Sequence, residues 1–202
     1  MRTYKRCTEQ EVFGLGIFLP LSSYKYIAKY RKKIRPLVEW FVKARYSYPG
    51  TNKMRPHITI KYLGYHKKYS NKEIKKLTPK IKEISKKYLP LEIKIKGLNL
   101  GMNPAYYPCG GILLDFKPKT KVRRFHQDII QSLKVDIYKN IDRSNFDPHI
   151  ALAEFDMRKA DIKKLKEIVK ESKKDKELRI RLTSVYIFFK NKGPVQIFKK
   201  SE

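Results

Sequence analysis

Two histidines in matching tetrapeptides are the residues of this chain best suited to catalysis. The tetrapeptides are Pro56-His57-Ile58-Thr59 and Pro148-His149-Ile150-Ala151, and each leads into an apolar run. His149 follows His57 by 92 positions, close to half of the 202 residues. Near neutral pH one histidine can accept a proton while another donates one, because the unperturbed pKa is about 6.5. That pairing of base and acid is what cleavage of a phosphodiester without a metal ion requires.

The first tetrapeptide begins a predicted strand that runs from His57 to Leu63. Residues two apart on a strand point to the same face, so His57, Thr59 and Lys61 are predicted to lie together. A hydroxyl at Thr59 suits the third requirement of the reaction, a donor for the non-bridging phosphate oxygens. The isoleucines between them would anchor the opposite face.

The second tetrapeptide begins a second predicted strand, from His149 to Phe155. The same alternation groups His149 with Ala151 and Ala153 on one face. This face therefore repeats the histidine of the first strand without its hydroxyl. The two strands are predicted to deliver their histidines to one phosphate from two related halves of the chain.

The remaining elements follow from hydrophobic periodicity. Each half is predicted to run strand, helix, motif strand, helix, strand, which is a weak internal repeat. No linker is long enough to separate independent domains, so residues 1–202 are predicted to form one domain. Strands are predicted at Val12 to Leu19, Leu91 to Ile95, Gly111 to Phe116, Ile180 to Lys190 and Val195 to Lys199, and helices around Ile27 to Ile34, Asn71 to Tyr88, Val122 to Leu133 and Ile162 to Val169.

The charge of the chain is strongly positive. Its 48 Lys and Arg residues outnumber its 19 Asp and Glu residues, which gives a net charge of +29. Such a surface attracts polyphosphates, nucleic acid or anionic membranes, so non-specific nucleic-acid binding is one expectation. Abundant Lys together with Ile, Asn and Tyr is also what an AT-rich genome produces. Both explanations of the charge stay open at this stage.

Several classes of protein are disfavoured by what the sequence lacks. No apolar run approaches the roughly 18 residues of a membrane span, and the N-terminus has no signal-like core. We therefore expect a cytoplasmic protein with no membrane partner. Cys7 and Cys109 stand far apart, which predicts neither a zinc site nor a disulfide framework.

A metal cofactor is not expected either. The nearest acidic residues show no HxH, HExxH or DxD spacing, and the chain is poor in acids overall. The other two histidines, His66 and His126, are expected to be ordinary surface residues. The acidic residues in question are Asp142, Asp147, Glu154 and Asp156.

The two motifs resemble the signatures of the 2H phosphoesterase (LigT-like) superfamily, whose bacterial and archaeal members were named 2′-5′ RNA ligases. Arg55 to Gly64 is similar to the first signature and Pro148 to Ala153 to the second. The order of predicted elements extends the resemblance from about Val12 to Lys199. It implies a bilobal, pseudo-symmetric α+β fold with two antiparallel-rich sheets flanking a central cleft and helices outside.

The resemblance implies that His57 and His149 act as acid and base and that Thr59 holds the phosphate. Ala151 departs from the pattern, because the family usually has Thr or Ser there. Lys61 is the first candidate to replace the missing hydrogen bond, and Tyr106 and Tyr107 are further substrate-binding candidates. Loss of the hydroxyl without replacement costs about 1.5–3 kcal/mol of transition-state binding.

The expected function is therefore a metal-independent phosphodiesterase acting as a monomer on a bond to a ribose 2′ or 3′ oxygen. The family implies two substrate groups. One is an RNA end with a 2′,3′-cyclic phosphate, and the other is a signalling nucleotide such as 2′,3′-cGAMP or 2′-5′ oligoadenylate, as destroyed by viral members. The alternative is a non-catalytic basic RNA-binding protein on the same fold, with affinity that survives loss of both histidines.

Overall fold

The computed structural model describes residues 14–38, 56–63, 71–102, 109–135, 142, 146–188 and 194–200. These residues form eight strands and four α-helices, with short 3₁₀ turns beside two of the helices. The strands are β1 (Gly14–Phe18), β2 (His57–Tyr62), β3 (Leu91–Met102), β4 (Cys109–Lys117), β5 (Ile150–Asp156), β6 (Leu178–Leu182), β7 (Ser184–Phe188) and β8 (Val195–Lys199), and the helices are α1 (Tyr24–Ile34), α2 (Asn71–Tyr88), α3 (Lys119–Leu133) and α4 (Ile162–Ser172).

The strands form two four-stranded sheets in which all neighbours are antiparallel. The first sheet has the order β2-β1-β7-β8 and the second the order β5-β4-β3-β6. Each motif strand therefore lies at one edge of its sheet. This arrangement confirms the predicted fold class of mixed helices with two antiparallel sheets.

Each sheet is covered on one face by helices. Helix α3, which precedes β5, packs against β2, whereas α1, which precedes β2, packs against β5. Helix α4 packs against β3, and α2 packs against α3. This exchange joins buried apolar residues of both sheets and all four helices into one continuous core.

The C-terminal part of the chain crosses between the sheets. The sequence predicted a single strand from Ile180 to Lys190, but the structure divides it at Thr183 into β6 of the second sheet and β7 of the first. The apolar alternation continues through both strands and so hides the crossing. The first sheet consequently takes strands from both ends of the chain.

Strand β3 is longer than the sequence predicted. The strand was predicted from Leu91 to Ile95, but it continues through Gly97 to Met102. Gly97 has a positive φ of 77°, and a Cβ there would lie 2.9 Å from the carbonyl oxygen of Ser172. The glycine therefore permits an irregularity within the strand, where α4 approaches closely.

Candidate functional site

The first motif strand contains a β-bulge directly after its threonine. Thr59 pairs with Gly16 and Lys61 pairs with Leu15, so Ile60 is an extra residue without a partner of its own. Cross-strand partners point to the same face of a sheet. Lys61 thus shares the buried face of Leu15, and the alternation that would have placed it beside Thr59 is interrupted.

The second motif strand has a bulge at the equivalent position. Ala151 pairs with Leu113 and Ala153 pairs with Ile112, which leaves Leu152 as the extra residue. In both strands the extra residue comes three positions after the histidine. The structural repeat of the two motifs therefore includes their bulges as well as their histidines.

The bulges change which residues accompany the histidines. After the bulge in β2 the next residue on the Thr59 face is Tyr62, which pairs with Gly14. After the bulge in β5 the next residue on the Ala151 face is Glu154, which pairs with Gly111. We call these two faces the motif faces. Tyr62 and Glu154 were not expected on them, because simple alternation places both on the opposite sides.

Lys61 is therefore not on the motif face, and the predicted grouping of Lys61 with His57 and Thr59 is wrong. Its side chain is buried, with 0% of its surface exposed, and its Nζ pairs with the Oδ2 of Asp142. A lysine removed from water needs such a partner to remain charged. Ala153 likewise lies on the buried face, with 1% exposure.

His57 lies among aromatic rings on the first motif face. Its ring centroid is 5.6 Å from that of Phe18 and 5.3 Å from that of Phe188, and the residue is only 6% exposed. The Phe188 ring lies over two glycines of β1, because Cβ atoms built at Gly14 and Gly16 would meet it at 2.3 and 2.6 Å. The glycines thus make room for the ring that packs against the histidine.

The aromatic residues around His57 were missed by the sequence analysis. Tyr186 extends the group, with its ring 5.1 Å from Phe18 and its hydroxyl 3.0 Å from Gln196 Oε1. Phe18 ends the strand before the motif, whereas Phe188 and Tyr186 come from the far end of the chain. The two glycines of β1, spaced two apart, were the only local signal of a ring packed over the strand.

His149 has a different environment from His57. It is exposed and precedes the first residue of β5. Its Nδ1 is 2.9 Å from the carbonyl oxygen of Asp147. Because a carbonyl only accepts hydrogen bonds, Nδ1 carries the proton, and Nε2 is the ring nitrogen that can exchange a proton with a substrate. Strand β2 contacts β5, so the two motif strands are adjacent in space.

A buried polar cluster lies behind the first bulge. His126 is 1% exposed, in contrast to its predicted surface position, and its Nδ1 donates to the carbonyl oxygen of Ile60 at 2.7 Å. Its Nε2 lies 3.5 Å from Oδ1 of Asp142, which itself pairs with Lys61. Burial lowers the pKa of His126, against the opposing effects of the Ile60 carbonyl and Asp142. The neutral imidazole is therefore favoured.

Other predicted site residues have simpler outcomes. Thr59 is half-buried on the motif face, and Ala151 is 5% exposed on the equivalent face of β5. Tyr106 and Tyr107 lie outside the described residues, as does His66.

Among the described residues, no group of three or more His, Cys, Asp or Glu side chains is arranged to hold a metal ion. None of the helices in these ranges has the length and apolar character needed to span a membrane.

Similar solved structures share this architecture over nearly the whole chain. TT0787 of Thermus thermophilus has a TM-score of 0.54 at 14% identity, covering 92% of this chain and 93% of its own. Apo LigT of E. coli has a TM-score of 0.51 at 12% identity, with 90% and 88% covered. Usb1 of Kluyveromyces marxianus has a TM-score of 0.51 at 8% identity, with 93% and 97% covered.

Sequence comparison gives the family more directly. No curated protein sequence matches this chain. Residues 20–193, which include both motifs, match the 2′-5′ RNA ligase superfamily. With its paired bulged motif strands and its two antiparallel sheets, the chain belongs to the 2′-5′ RNA ligase superfamily of 2H phosphoesterases.

Proposed function

We propose that this protein is a phosphodiesterase in which His57 and His149 transfer protons without a metal ion. The observation that supports this most is the repeat of a histidine, a strand and a bulge on two adjacent motif strands. Two groups with the same chemistry at related positions suit a reaction with one proton donor and one proton acceptor.

In the proposed reaction one histidine accepts a proton from the attacking water. The oxygen of that water bonds to phosphorus, and the bond from phosphorus to a ribose 2′ or 3′ oxygen breaks. The other histidine donates its proton to the departing oxygen. Thr59 donates a hydrogen bond to a non-bridging oxygen, as its place two residues from His57 on the motif face allows.

The proposed substrates are the two groups that the family implies. One is a 2′,3′-cyclic phosphate, either free or at an RNA end. The other is a signalling nucleotide, a cyclic dinucleotide or a 2′-5′ oligoadenylate. The structure of E. coli LigT with 3′-AMP, which is similar to this chain with a TM-score of 0.51, supports including adenosine 2′,3′-cyclic phosphate among the first substrates tested.

The first test measures turnover in EDTA on both substrate groups. We expect each of the variants His57→Ala and His149→Ala to lower kcat about 10²–10⁴-fold, which is the usual contribution of general acid or base catalysis. His66→Ala serves as the control, since it removes another of the four histidines.

Wild-type turnover that stops in EDTA would contradict the metal-independent reaction. A His149→Ala enzyme with undiminished kcat would contradict the pairing of histidines. If no substrate is cleaved while RNA binds with strong salt dependence in the wild type and both variants, the protein is the RNA-binding alternative. Ala151 would then mark a site without catalytic function.

A further inference from the structure

We propose that one face of helix α3 is a positioning device that fixes the two catalytic histidines relative to each other. Three residues spaced four and three apart, Lys119, Arg123 and His126, lie on the same side of this helix. His126 contacts the first motif strand, and the other two contact the segment that leads into the second. The inference rests on the proposed function of the histidine pair.

On the first side, the helix holds the bulge of β2. The extra residue Ile60 presents a carbonyl oxygen that accepts from His126 Nδ1 at 2.7 Å. The next residue, Lys61, is anchored to Asp142, whose other oxygen lies 3.5 Å from His126 Nε2. The bulge sets the direction of the strand between Thr59 and Tyr62, so a shift of His126 would move the first motif face.

On the second side, the helix holds the residues just before His149. Arg123 donates from Nε to the carbonyl oxygen of Phe146 at 3.3 Å and from a terminal nitrogen to Asp147 Oδ1 at 3.1 Å. Lys119 contacts both carboxylate oxygens of Asp147, at 3.0 and 3.1 Å. The carbonyl oxygen of the same Asp147 accepts from His149 Nδ1.

The two sides are joined by direct packing. The ring of Phe146 stacks on the ring of His126, with centroids 3.7 Å apart and planes 9° from parallel. The residue that holds the first bulge thus also contacts the segment that orients His149. Because an error of about 1 Å in the position of reacting groups can cost 10²-fold in rate, a link that keeps both motifs in register supports catalysis.

The decisive variants substitute His126 in two ways. His126→Phe keeps a ring against Phe146 but removes the donor to Ile60, whereas His126→Asn keeps an amide donor at the position of Nδ1. We expect His126→Phe to lower kcat about tenfold or more with KM nearly unchanged. His126→Asn keeps the donor to Ile60 but loses the ring stacked on Phe146, so it should lower kcat only about threefold. Equal kcat in the two variants, or a loss confined to KM, would overturn the proposal.

An exposed pair tests the second side without threatening the fold. The double variant Lys119→Gln/Arg123→Gln should lower kcat about threefold, in keeping with solvent-exposed ion pairs. Its control is Lys121→Gln/Arg124→Gln, which removes the same charge from other faces of α3 and should leave kcat unchanged. Similar losses in both double variants would indicate a general effect of charge and contradict the proposal.

A spectroscopic measurement separates this proposal from the proposed function. Imidazole ¹⁵N chemical shifts report which ring nitrogen of His149 carries the proton. The fraction with a proton on Nδ1 should fall in Lys119→Gln/Arg123→Gln and stay unchanged in the control pair. An unchanged fraction would overturn the positioning role even in an active enzyme. A changed fraction in a protein that cleaves nothing would leave the positioning of His149 supported and the phosphodiesterase refuted.

Discussion

The methyl group of Ala151 stands where the first motif has the hydroxyl of Thr59. The cross-strand partners of these two residues differ in size. Thr59 pairs with Gly16, which has no side chain, whereas Ala151 pairs with Leu113, which has a large one. The second motif face therefore exchanges a polar side chain opposite a glycine for a small apolar one opposite a leucine. At the scale of single residues, this makes the two sites chemically unequal although their backbones are related.

Restoring a hydroxyl at position 151 is expected to increase turnover. Ala151→Ser adds one hydrogen-bond donor to the motif face, and a bond to a charged phosphate contributes about 1.5–3 kcal/mol, so kcat should rise roughly 10- to 100-fold. The measurement is steady-state turnover on the substrate that the wild type cleaves. The matched control is Ala153→Ser, whose hydroxyl would lie on the buried face and should give no increase. Equal effects of both substitutions would contradict the assignment of faces.

His126 is expected to make stability depend on pH. Its pKa is lowered by burial, while Asp142 opposes and Lys61 adds to that effect. Below about pH 6.5 the unfolded chain therefore binds a proton that the folded chain binds more weakly, and the free energy of unfolding falls by up to about 1.4 kcal/mol per pH unit. Denaturant unfolding between pH 7.5 and 5 measures this slope. His126→Asn should have a smaller slope, and an identical slope would contradict the lowered pKa.

At the scale of elements, the bulges decide how each motif strand functions. An uninterrupted β2 would present Lys61 beside Thr59, whereas the bulge buries Lys61 and presents Tyr62. Strand β1 supports this arrangement through Gly14 and Gly16, which lie under the ring of Phe188. The motif face is thus defined by three neighbouring strands.

A methyl group on β1 should disturb this packing. In Gly16→Ala the new Cβ would lie 2.6 Å from Phe188 Cε1 and 2.8 Å from the carbonyl oxygen of Ile58. We expect overpacking to lower the free energy of unfolding by about 1–3 kcal/mol and to lower kcat by shifting the ring against His57. Thermal unfolding and turnover test this together. Gly111→Ala is the control, because its Cβ would come no closer than 3.3 Å to the nearest atom, the Ala153 carbonyl oxygen. A Gly16→Ala protein as stable as the control would refute the packing argument.

At the scale of the whole molecule, the net charge of +29 creates a positive electrostatic field to which many residues contribute. Many lysines lie on the exposed faces of the helices, and some of the lysines in the described ranges pair with acidic residues such as Asp175, Asp147 and Asp115. This field would strengthen the binding of a polyanion at many of its phosphates, whereas it would strengthen the binding of a small nucleotide only slightly.

The ionic-strength dependence of KM should therefore distinguish substrates by length. Between 50 and 200 mM salt, KM for an RNA oligonucleotide with a 2′,3′-cyclic phosphate end is expected to rise about tenfold or more, from release of counterions at several phosphates. For a cyclic mononucleotide the expected rise is about threefold, because one phosphate is involved. An equal rise of KM with salt for both substrates would favour the explanation that the positive charge comes from an AT-rich genome and not from a polyanionic ligand.

The sequence by itself determined the class of the fold and the family, and it indicated which residues could carry out chemistry. Repeated Pro-His-Ile motifs at half-chain spacing and the periodicity of the helices are local patterns, and the two-sheet architecture and the family they implied are confirmed. The roles of His57, His149 and Thr59 stay predictions. In β2 the alternation correctly placed Thr59 on the same face as His57, because the bulge begins only after Thr59.

Only the tertiary structure decided what surrounds the histidines. A bulge depends on the register of a neighbouring strand, so Lys61 looked like a site residue and its burial against Asp142 was hidden. Phe188 reaches His57 from the opposite end of the chain, and the division at Thr183 of the strand predicted from Ile180 to Lys190 makes that contact available. His126 was assigned to the surface because a helical pattern shows which face is apolar, but not which carbonyl oxygen needs a donor from that face. Pairing between distant segments determined these features, and a linear sequence does not display such pairings.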